Sequence, residues 1–236
     1  MKIVTWNCNG ALRNKFEKLE ELEADLFIIQ ECEDPKQTTS KKYIDWAKNS
    51  LWIGDNKNKG LGVFATPNIR IDNLDWSNIY NNHDVKYFLP FSINNSLNII
   101  AVWNHKNNSP NFGYIGQMWK YLQINKQKMM KAMIVGDFNS NSIWDEWDRW
   151  WNHSDVIREL REIGIESLYH NMFKEKQGEE SLPTFFLYRN IDKAYHIDYI
   201  FAPKEIADKV NKFEIGSAEE WLPISDHLPV ICEFRL

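Results

Sequence analysis

The chain has 236 residues, of which 43% are hydrophobic and 26% charged, and its net charge is −5. That much chain can bury a substantial core, in one large domain or two small ones. The acidic balance argues against a protein that coats nucleic acid by charge alone, since such proteins carry a basic stripe; it leaves phosphate-ester chemistry open, because a divalent cation at a cluster of acids reverses the field a phosphate feels.

From the N-terminus, Met1-Lys2-Ile3-Val4-Thr5-Trp6 shows no basic stretch leading into a long apolar core. No later apolar run reaches membrane-spanning length, so a cytoplasmic chain without membrane association is expected. Lys2 to Asn7 has the β-branched content of a strand. Leu12, Phe16, Leu19 and Leu22 recur at helical spacing, and Leu26 to Ile29 is a short apolar run typical of a buried strand. Gly62 to Ala65, Tyr87 to Ile93, Leu97 to Trp103, Ala132 to Val135, Tyr195 to Phe201 and Leu228 to Phe234 read as further strands. Helical patterns cover Tyr114 to Lys128 and Asp155 to Ile163, and Lys126, Lys128 and Lys131 read as a solvated helix face. Trp144, Trp147 and Trp151 fall at i, i+3 and i+7, which predicts a core-facing stripe; stacking on unpaired bases is the other use for this Trp-rich segment, which also holds Trp150. Cys8, Cys32 and Cys232 are far apart and odd in number, which suits reduced, partly buried thiols. Strands and helices mix along the whole chain without a linker or repeat, so face-to-face sheets covered by helices are expected, in one domain over residues 1–236.

Polar groups gather at the predicted strand ends. Asn7 closes the first strand, Glu31 follows the second, and Asp137 and Asn139 follow Ala132 to Val135, where loops present polar groups on a rigid scaffold. Asp198 lies inside its strand, where alternation puts it on the face of His196 and opposite Tyr199. Ser225-Asp226-His227-Leu228-Pro229 completes the set. Each has a plainer reading alone. Glu31 beside Glu33 and Asp34 is an ordinary exposed glutamate, Gly136-Asp137-Phe138-Asn139 a strand-ending turn, His227 a surface histidine and Asp198 a strand-edge charge. Together they read as one metal-dependent site for phosphate-ester cleavage. Mg²⁺ takes hard oxygen ligands, usually one or two carboxylates with waters and substrate phosphate. Glu31 is the first candidate ligand, Asn7 offers its carbonyl oxygen or holds a metal-bound water, and Asp226 adds carboxylate charge. An acid interrupting an apolar strand, as Asp198 does, needs a partner.

The ordered blocks Thr5-Trp6-Asn7, Ile29-Gln30-Glu31, Gly60-Leu61-Gly62-Val63, Gly136-Asp137-Phe138-Asn139, His196-Ile197-Asp198-Tyr199 and Ser225-Asp226-His227 resemble the endonuclease/exonuclease/phosphatase superfamily, which includes exonuclease III and pancreatic deoxyribonuclease. The likeness covers nearly the full chain. It implies an α/β fold, a four-layered α/β/β/α sandwich of two central mixed sheets with outer helices, and Mg²⁺- or Mn²⁺-dependent hydrolysis of phosphate esters. It implies that Asp137 is the water-activating base and that Asn139 donates its amide to a phosphate oxygen or orients that water. His227 would contact the scissile phosphate, and Asp198 would hydrogen-bond it, fixing its tautomer and supporting its positive charge. His105, in Trp103-Asn104-His105, stands where the apurinic branch tends to carry tyrosine and the deoxyribonuclease and phosphatase branches histidine; its near-neutral pKa suits a general acid for the leaving oxygen. Gln30-Glu31-Cys32-Glu33 likewise departs from the Gln-Glu-Thr-Lys common in the apurinic branch. Tyr114, Gln117 and Thr184 are candidate substrate contacts, though strand propensity explains Thr184 equally well.

The expected function is a divalent-metal phosphodiesterase acting as a nuclease on DNA, monomeric and without an obligate protein partner. A phosphatase or phospholipase-like enzyme acting on a small phosphorylated molecule or lipid head group is the alternative, since fold does not fix substrate. A catalytically idle binding module is the alternative from another class, and the presence of every expected polar group speaks against it.

Overall fold

The computed structural model describes residues 1–107, 109 and 111–235. Its strands are β1 (Lys2–Asn7), β2 (Leu26–Cys32), β3 (Ser50–Asn56), β4 (Lys59–Ala65), β5 (Ile71–Asn73), β6 (Phe88–Ile93), β7 (Leu97–Trp103), β8 (Ala132–Asp137), β9 (Ile165–Ser167), β10 (Asp198–Pro203), β11 (Val210–Ile215) and β12 (Val230–Phe234), besides two short hairpins. They form two six-stranded sheets, ordered β11-β12-β1-β2-β4-β3 and β9-β10-β8-β7-β6-β5. Both sheets are mixed in the same way. Each has one parallel pair, β1 with β2 or β7 with β8, flanked by antiparallel neighbours. A parallel pair needs a crossover; α1 (Phe16–Glu20) lies in the first, and α3 (Ile115–Met129) in the second.

Alternation along these strands sorts side chains into layers. Ile3, Ile28, Ile99, Ala101, Met133 and Val135 meet between the sheets. Val4, Trp6, Phe27 and Ile29 face outward and are covered by Phe16 and Leu19 of α1 and by Tyr43 of α2 (Lys41–Trp46). Ile100, Val102, Ala132 and Ile134 face the other way, beneath α3 and α4 (His153–Glu162). Each such aliphatic side chain contributes about 1.5–3 kcal/mol on full burial, and the result is the expected helix/sheet/sheet/helix sandwich. Among the described residues no helix is long and apolar enough to cross a membrane. The three cysteines are free and buried.

Three expectations are corrected. The segment around Leu12 and Phe16 splits into a 3₁₀ turn, Leu12–Asn14, and a short α1, because Lys15 leaves the helical region at φ −131°. The strand expected over Tyr195 to Phe201 is interrupted: Ala194–Tyr195 pairs with Phe185–Phe186, and β10 begins at Asp198. His196 and Tyr199 therefore do not point to opposite faces; their rings lie 4.9 Å apart. The tryptophan stripe does not form. Asp145 accepts from His153 N and Ser154 N, and Asp155 accepts from Asn152 N. These caps start α4 at His153, leaving all three outside it: Trp144 and Trp147 are 45% and 95% exposed, as Trp150 is at 63%, and of the stripe Trp151 alone packs against the core.

Candidate active site

The parallel pairs of both sheets end at the same edge of the sandwich. Asn7, the last residue of β1, donates from Nδ2 to Asp137 Oδ2 (3.0 Å), the last residue of β8. The link joins the two sheets, and Asn7 is almost fully buried. One residue past its β2 register partner Gln30 comes Glu31. Here β2 bulges: Gln30 faces Leu61 and Cys32 faces Gly60, so Glu31 is unopposed. Its φ of 61° is uncommon for a residue with a side chain. Bulges re-aim side chains near active sites. This one turns the Glu31 carboxylate to the surface, where Lys59 Nζ meets it at 2.7 Å.

Asp137 is fully buried. Its Oδ1 accepts from Asn139 N (2.7 Å) and its Oδ2 from Asn139 Nδ2 (2.9 Å) as well as from Asn7. Gly136 permits the approach: a Cβ there would stand 1.9 Å from the Val102 carbonyl oxygen, and the backbone has φ 150°. Asp137 faces Asp198 in the β8/β10 register. Burial, then the Asp198 charge, push the Asp137 pKa up to about 7, against the opposing effects of His227 and Asn7. Asn139 also donates to Asn104 O (3.0 Å), and Asn104 N donates to Asp137 O (2.8 Å), so the β7 loop is tied to the same turn.

Asp198 Oδ2 holds His227 Nδ1 at 2.9 Å, and both residues are buried. Asp198 Oδ1 is buried without a partner among the described residues. Burial pushes the His227 pKa down, but the charge and hydrogen bond of Asp198, with Asp137, carry it up to about 9. The ring is then an imidazolium at neutral pH. Groups that sequence reasoning missed hold this loop. Ser225 Oγ donates to Asn7 O (2.7 Å) and accepts from His227 N (3.1 Å), and Trp6 Nε1 donates to His227 O (2.9 Å). The bonds to Asn7 O and from Trp6 Nε1 span 218 and 221 residues of chain, and no local pattern announces them.

Two candidate substrate contacts are corrected. Thr184 is fully buried, and its Oγ1 accepts from Ile197 N and Asp198 N, both at 3.0 Å. It fixes the Asp198 backbone and does not reach a pocket. Gln117 is buried too, accepting from Asn107 Nδ2 (3.0 Å) and donating to Phe112 O (2.5 Å), which braces the loop between β7 and α3. Tyr114 is exposed and lines a groove with Asn139. His105 is partly buried, with Nδ1 accepting from Asn107 N at 3.1 Å. Burial lowers its pKa, and the charges of Glu31 and Lys59 act on it with opposite sign.

Two donor sets present themselves for a metal ion. Asp137, Asp198 and His227 each place a ligand atom within 4.8 Å of the others. A histidine ligand must be neutral, and the His227 nitrogen facing the two acids, Nδ1, is held by Asp198 Oδ2 at 2.9 Å, so a cation there would take the place of that hydrogen bond. Glu31, Asp226 and the Asn7 side-chain oxygen are the harder candidate donors. Asn7 pairs with Gln30 in the sheet and accepts from Ser225 Oγ at its backbone carbonyl, so its neighbours in space are the residues preceding Glu31 and Asp226, and its Oδ1 accepts from Asn9 N at 3.0 Å. A protein cation, Lys59, already stands at Glu31, and oxygen donors of this kind fit a Mg²⁺-type ion.

Behind the site lies a buried polar network. His153 meets Ser140 Oγ (3.2 Å) and Gln177 Oε1 (3.1 Å), while Glu180 accepts from Asn141 Nδ2 and meets His170 Nε2, both at 3.0 Å. Burial lowers the His153 pKa from 6.5 to about 4. Between those values the unfolded chain binds a proton that the folded chain refuses, so stability rises with pH across this window. Full stability is expected above pH 6.5, with a loss of about 3 kcal/mol from this group as pH falls through 4, at 1.36 kcal/mol per unit. Melting temperatures of the native protein and His153→Gln across this range check it; the variant should show the shallower acid slope, and equal slopes would refute the assignment.

The model of the Endonuclease/Exonuclease/phosphatase family matches residues 4–227. No curated protein matches the sequence. Among solved structures, the 3′–5′ exonuclease NExo from Neisseria meningitidis is similar with a TM-score of 0.75 at 19% identity, over 100% of both chains. NExo as a 3′ phosphatase bound to a product DNA hairpin gives 0.74 at 19%, again over 100% of both chains. An AP endonuclease from Archaeoglobus fulgidus gives 0.69 at 18% over 100% of both. At such identities these likenesses establish the fold, whereas the family match spans nearly the whole sequence and takes in every block from the first strand to His227. The chain belongs to the endonuclease/exonuclease/phosphatase family, whose enzymes hydrolyse phosphate esters.

Proposed function

We propose that the chain is a divalent-metal-dependent phosphodiesterase that cleaves DNA, acting as a monomer through one domain. The observation that carries this reading is the pairing of buried Asp137, its pKa raised to about 7, with a His227 imidazolium held by Asp198 at 2.9 Å. A base poised near neutral pH and a fixed cation beside it are what phosphodiester hydrolysis needs. Asp137 takes the proton of the attacking water, and Asn139, whose two Nδ2 hydrogens are spent on Asp137 and Asn104 O, orients that water by accepting from it at Oδ1. His227 neutralises charge growing on the phosphate, and His105 is the proton donor to the leaving oxygen, a role that its burial-lowered pKa favours on the acid side of neutrality. Glu31, Asp226 and Asn7 would hold Mg²⁺ or Mn²⁺, which supplies Lewis-acid stabilisation of the phosphoryl oxygens. The similarity to a 3′–5′ exonuclease, a 3′ phosphatase bound to product DNA and an AP endonuclease favours DNA as the substrate.

A substrate panel tests the reading. Purified protein with Mg²⁺ or Mn²⁺ is offered supercoiled plasmid, single-stranded DNA, abasic duplex, RNA, a bis-aryl phosphodiester, phosphomonoesters and lipid head groups. Cleavage of one or more of the DNA substrates is expected. Turnover confined to phosphomonoesters or lipid head groups would retire the nuclease reading in favour of a phosphatase or phospholipase-like one.

A further inference from the structure

Beside the active site runs a groove of about 760 Å³, lined by Tyr114, Asn139, Trp144, Trp151 and Asn152 among others. Asn139 belongs to both, so the groove is continuous with the place where the scissile phosphate would lie. Aromatic rings continue the same path. From His227 the next ring is Phe185 at 4.6 Å, then Tyr195 at 6.4 Å from Phe185, then Trp144 at 5.1 Å from Tyr195. Beyond Trp144 the chain carries Trp147, 95% exposed, and Trp150, 63% exposed. Exposed aromatics in such number on one short segment mark a binding surface, and the helix caps at Asp145 and Asn152 hold this segment off the core.

The charges around the groove select the occupant. Asp145 is spent on helix capping, Glu146 pairs with Arg149 at 3.6 Å, and the Arg149 guanidinium lies 4.9 Å from the Trp151 ring centre. With Asp148 and Lys106 also on the wall, the groove has no basic excess to attract a phosphate backbone. It offers ring faces and amides, which suit bases rather than phosphates. A duplex keeps its bases stacked inside and has no faces to give. We propose that the Trp144–Trp150 segment is a stacking platform for unpaired bases of a single strand leading away from the scissile phosphate, an assignment that rests on the nuclease reading above and names its preferred substrate form.

Base–aromatic stacking is sequence-tolerant and strong enough that losing one platform ring weakens binding about tenfold. The test measures fluorescence anisotropy of a short labelled oligothymidylate and of a duplex of mixed sequence, in excess chelator so that nothing is cut. Trp147→Ala should weaken oligothymidylate binding about tenfold, Trp144→Ala/Trp147→Ala about a hundredfold, and Trp147→Phe should restore most of the loss. Duplex binding should stay unchanged in all three, and Ile44→Ala, an exposed apolar residue outside the groove, should leave both unchanged. Because Trp147 is almost wholly exposed, its removal should not shift the melting temperature. Equal oligothymidylate affinity in native protein and Trp147→Ala would overturn the platform, as would Trp147-dependent binding to phosphatidylcholine vesicles without any effect on the oligothymidylate. Platform binding by a native protein that cleaves nothing in the panel would sink the hydrolase reading alone.

Discussion

Asp198→Asn is expected to lower kcat by about 10⁴-fold, the loss seen when the carboxylate that orients a catalytic histidine is neutralised. The reason lies in how the two buried groups depend on each other. Burial alone drives the His227 pKa down, and the Asp198 charge and hydrogen bond bring it up to about 9. Without that carboxylate the ring is neutral at physiological pH and free to adopt either tautomer. The same substitution removes both the Asp198 charge that raises the Asp137 pKa and the His227 charge that lowers it, so the loss falls chiefly on the cation. Thr184 still accepts from the backbone N–H of residues 197 and 198, which keeps the strand in place. A kcat within tenfold of native, in protein with a native melting temperature, would mean that the pair is structural. The sign of the pH dependence follows from the same shift. His227 is charged below its raised pKa, so native activity should fall as pH rises through about 9, and a residual activity in Asp198→Asn should fall off at lower pH.

Glu31→Gln is expected to lower activity at a fixed, subsaturating Mg²⁺ concentration by at least about 10²-fold. Even outer-shell partners of a metal are worth 10- to 100-fold in affinity or activity. The substitution keeps the shape and removes only the charge. Stability should hardly change, because the partner Lys59 is itself about half exposed and an exposed ion pair contributes between about 0 and 1 kcal/mol. A metal titration separates this from damage to the fold: part of the loss should return at high Mg²⁺, with the half-saturating concentration displaced upward. An unchanged metal dependence would remove Glu31 from the ligand set. The bulge at Glu31, with its positive φ, belongs to the same picture, since strained backbone persists where the surrounding structure over-determines it and often marks a functional residue.

Much of this was legible in the chain. β1 and β7 appear with their observed limits, and polar residues at or near the strand ends mark the edge where Asn7, Asp137, Asn139, Asp198 and His227 converge. Other parts leave weak traces. β3 and β11 lie at sheet edges, where half-exposed residues such as Ser50, Asp55 and Lys212 dilute the alternation that betrays a strand. Glu33, which reads as one of several surface acids, is buried and accepts from the backbone N–H of Leu12 and Arg13. Thr184 and Gln117 resemble substrate contacts in sequence because polar residues near a site look alike, whether they face solvent or satisfy buried backbone. The tryptophans misled for a related reason: spacing describes a helical face only where the helix exists, and the caps of α4 decide that it begins at His153.

The most direct measurement is hydrolysis of a DNA phosphodiester by the native protein, with Mg²⁺ and with excess chelator, beside Glu31→Gln and His227→Ala. The expected result is cleavage by the native protein with metal only, and loss of at least about 10²-fold in both variants, whose folds stay intact. Cleavage that survives the chelator, or variants that cut as fast as the native protein, would contradict a metal-dependent site built on Glu31 and His227.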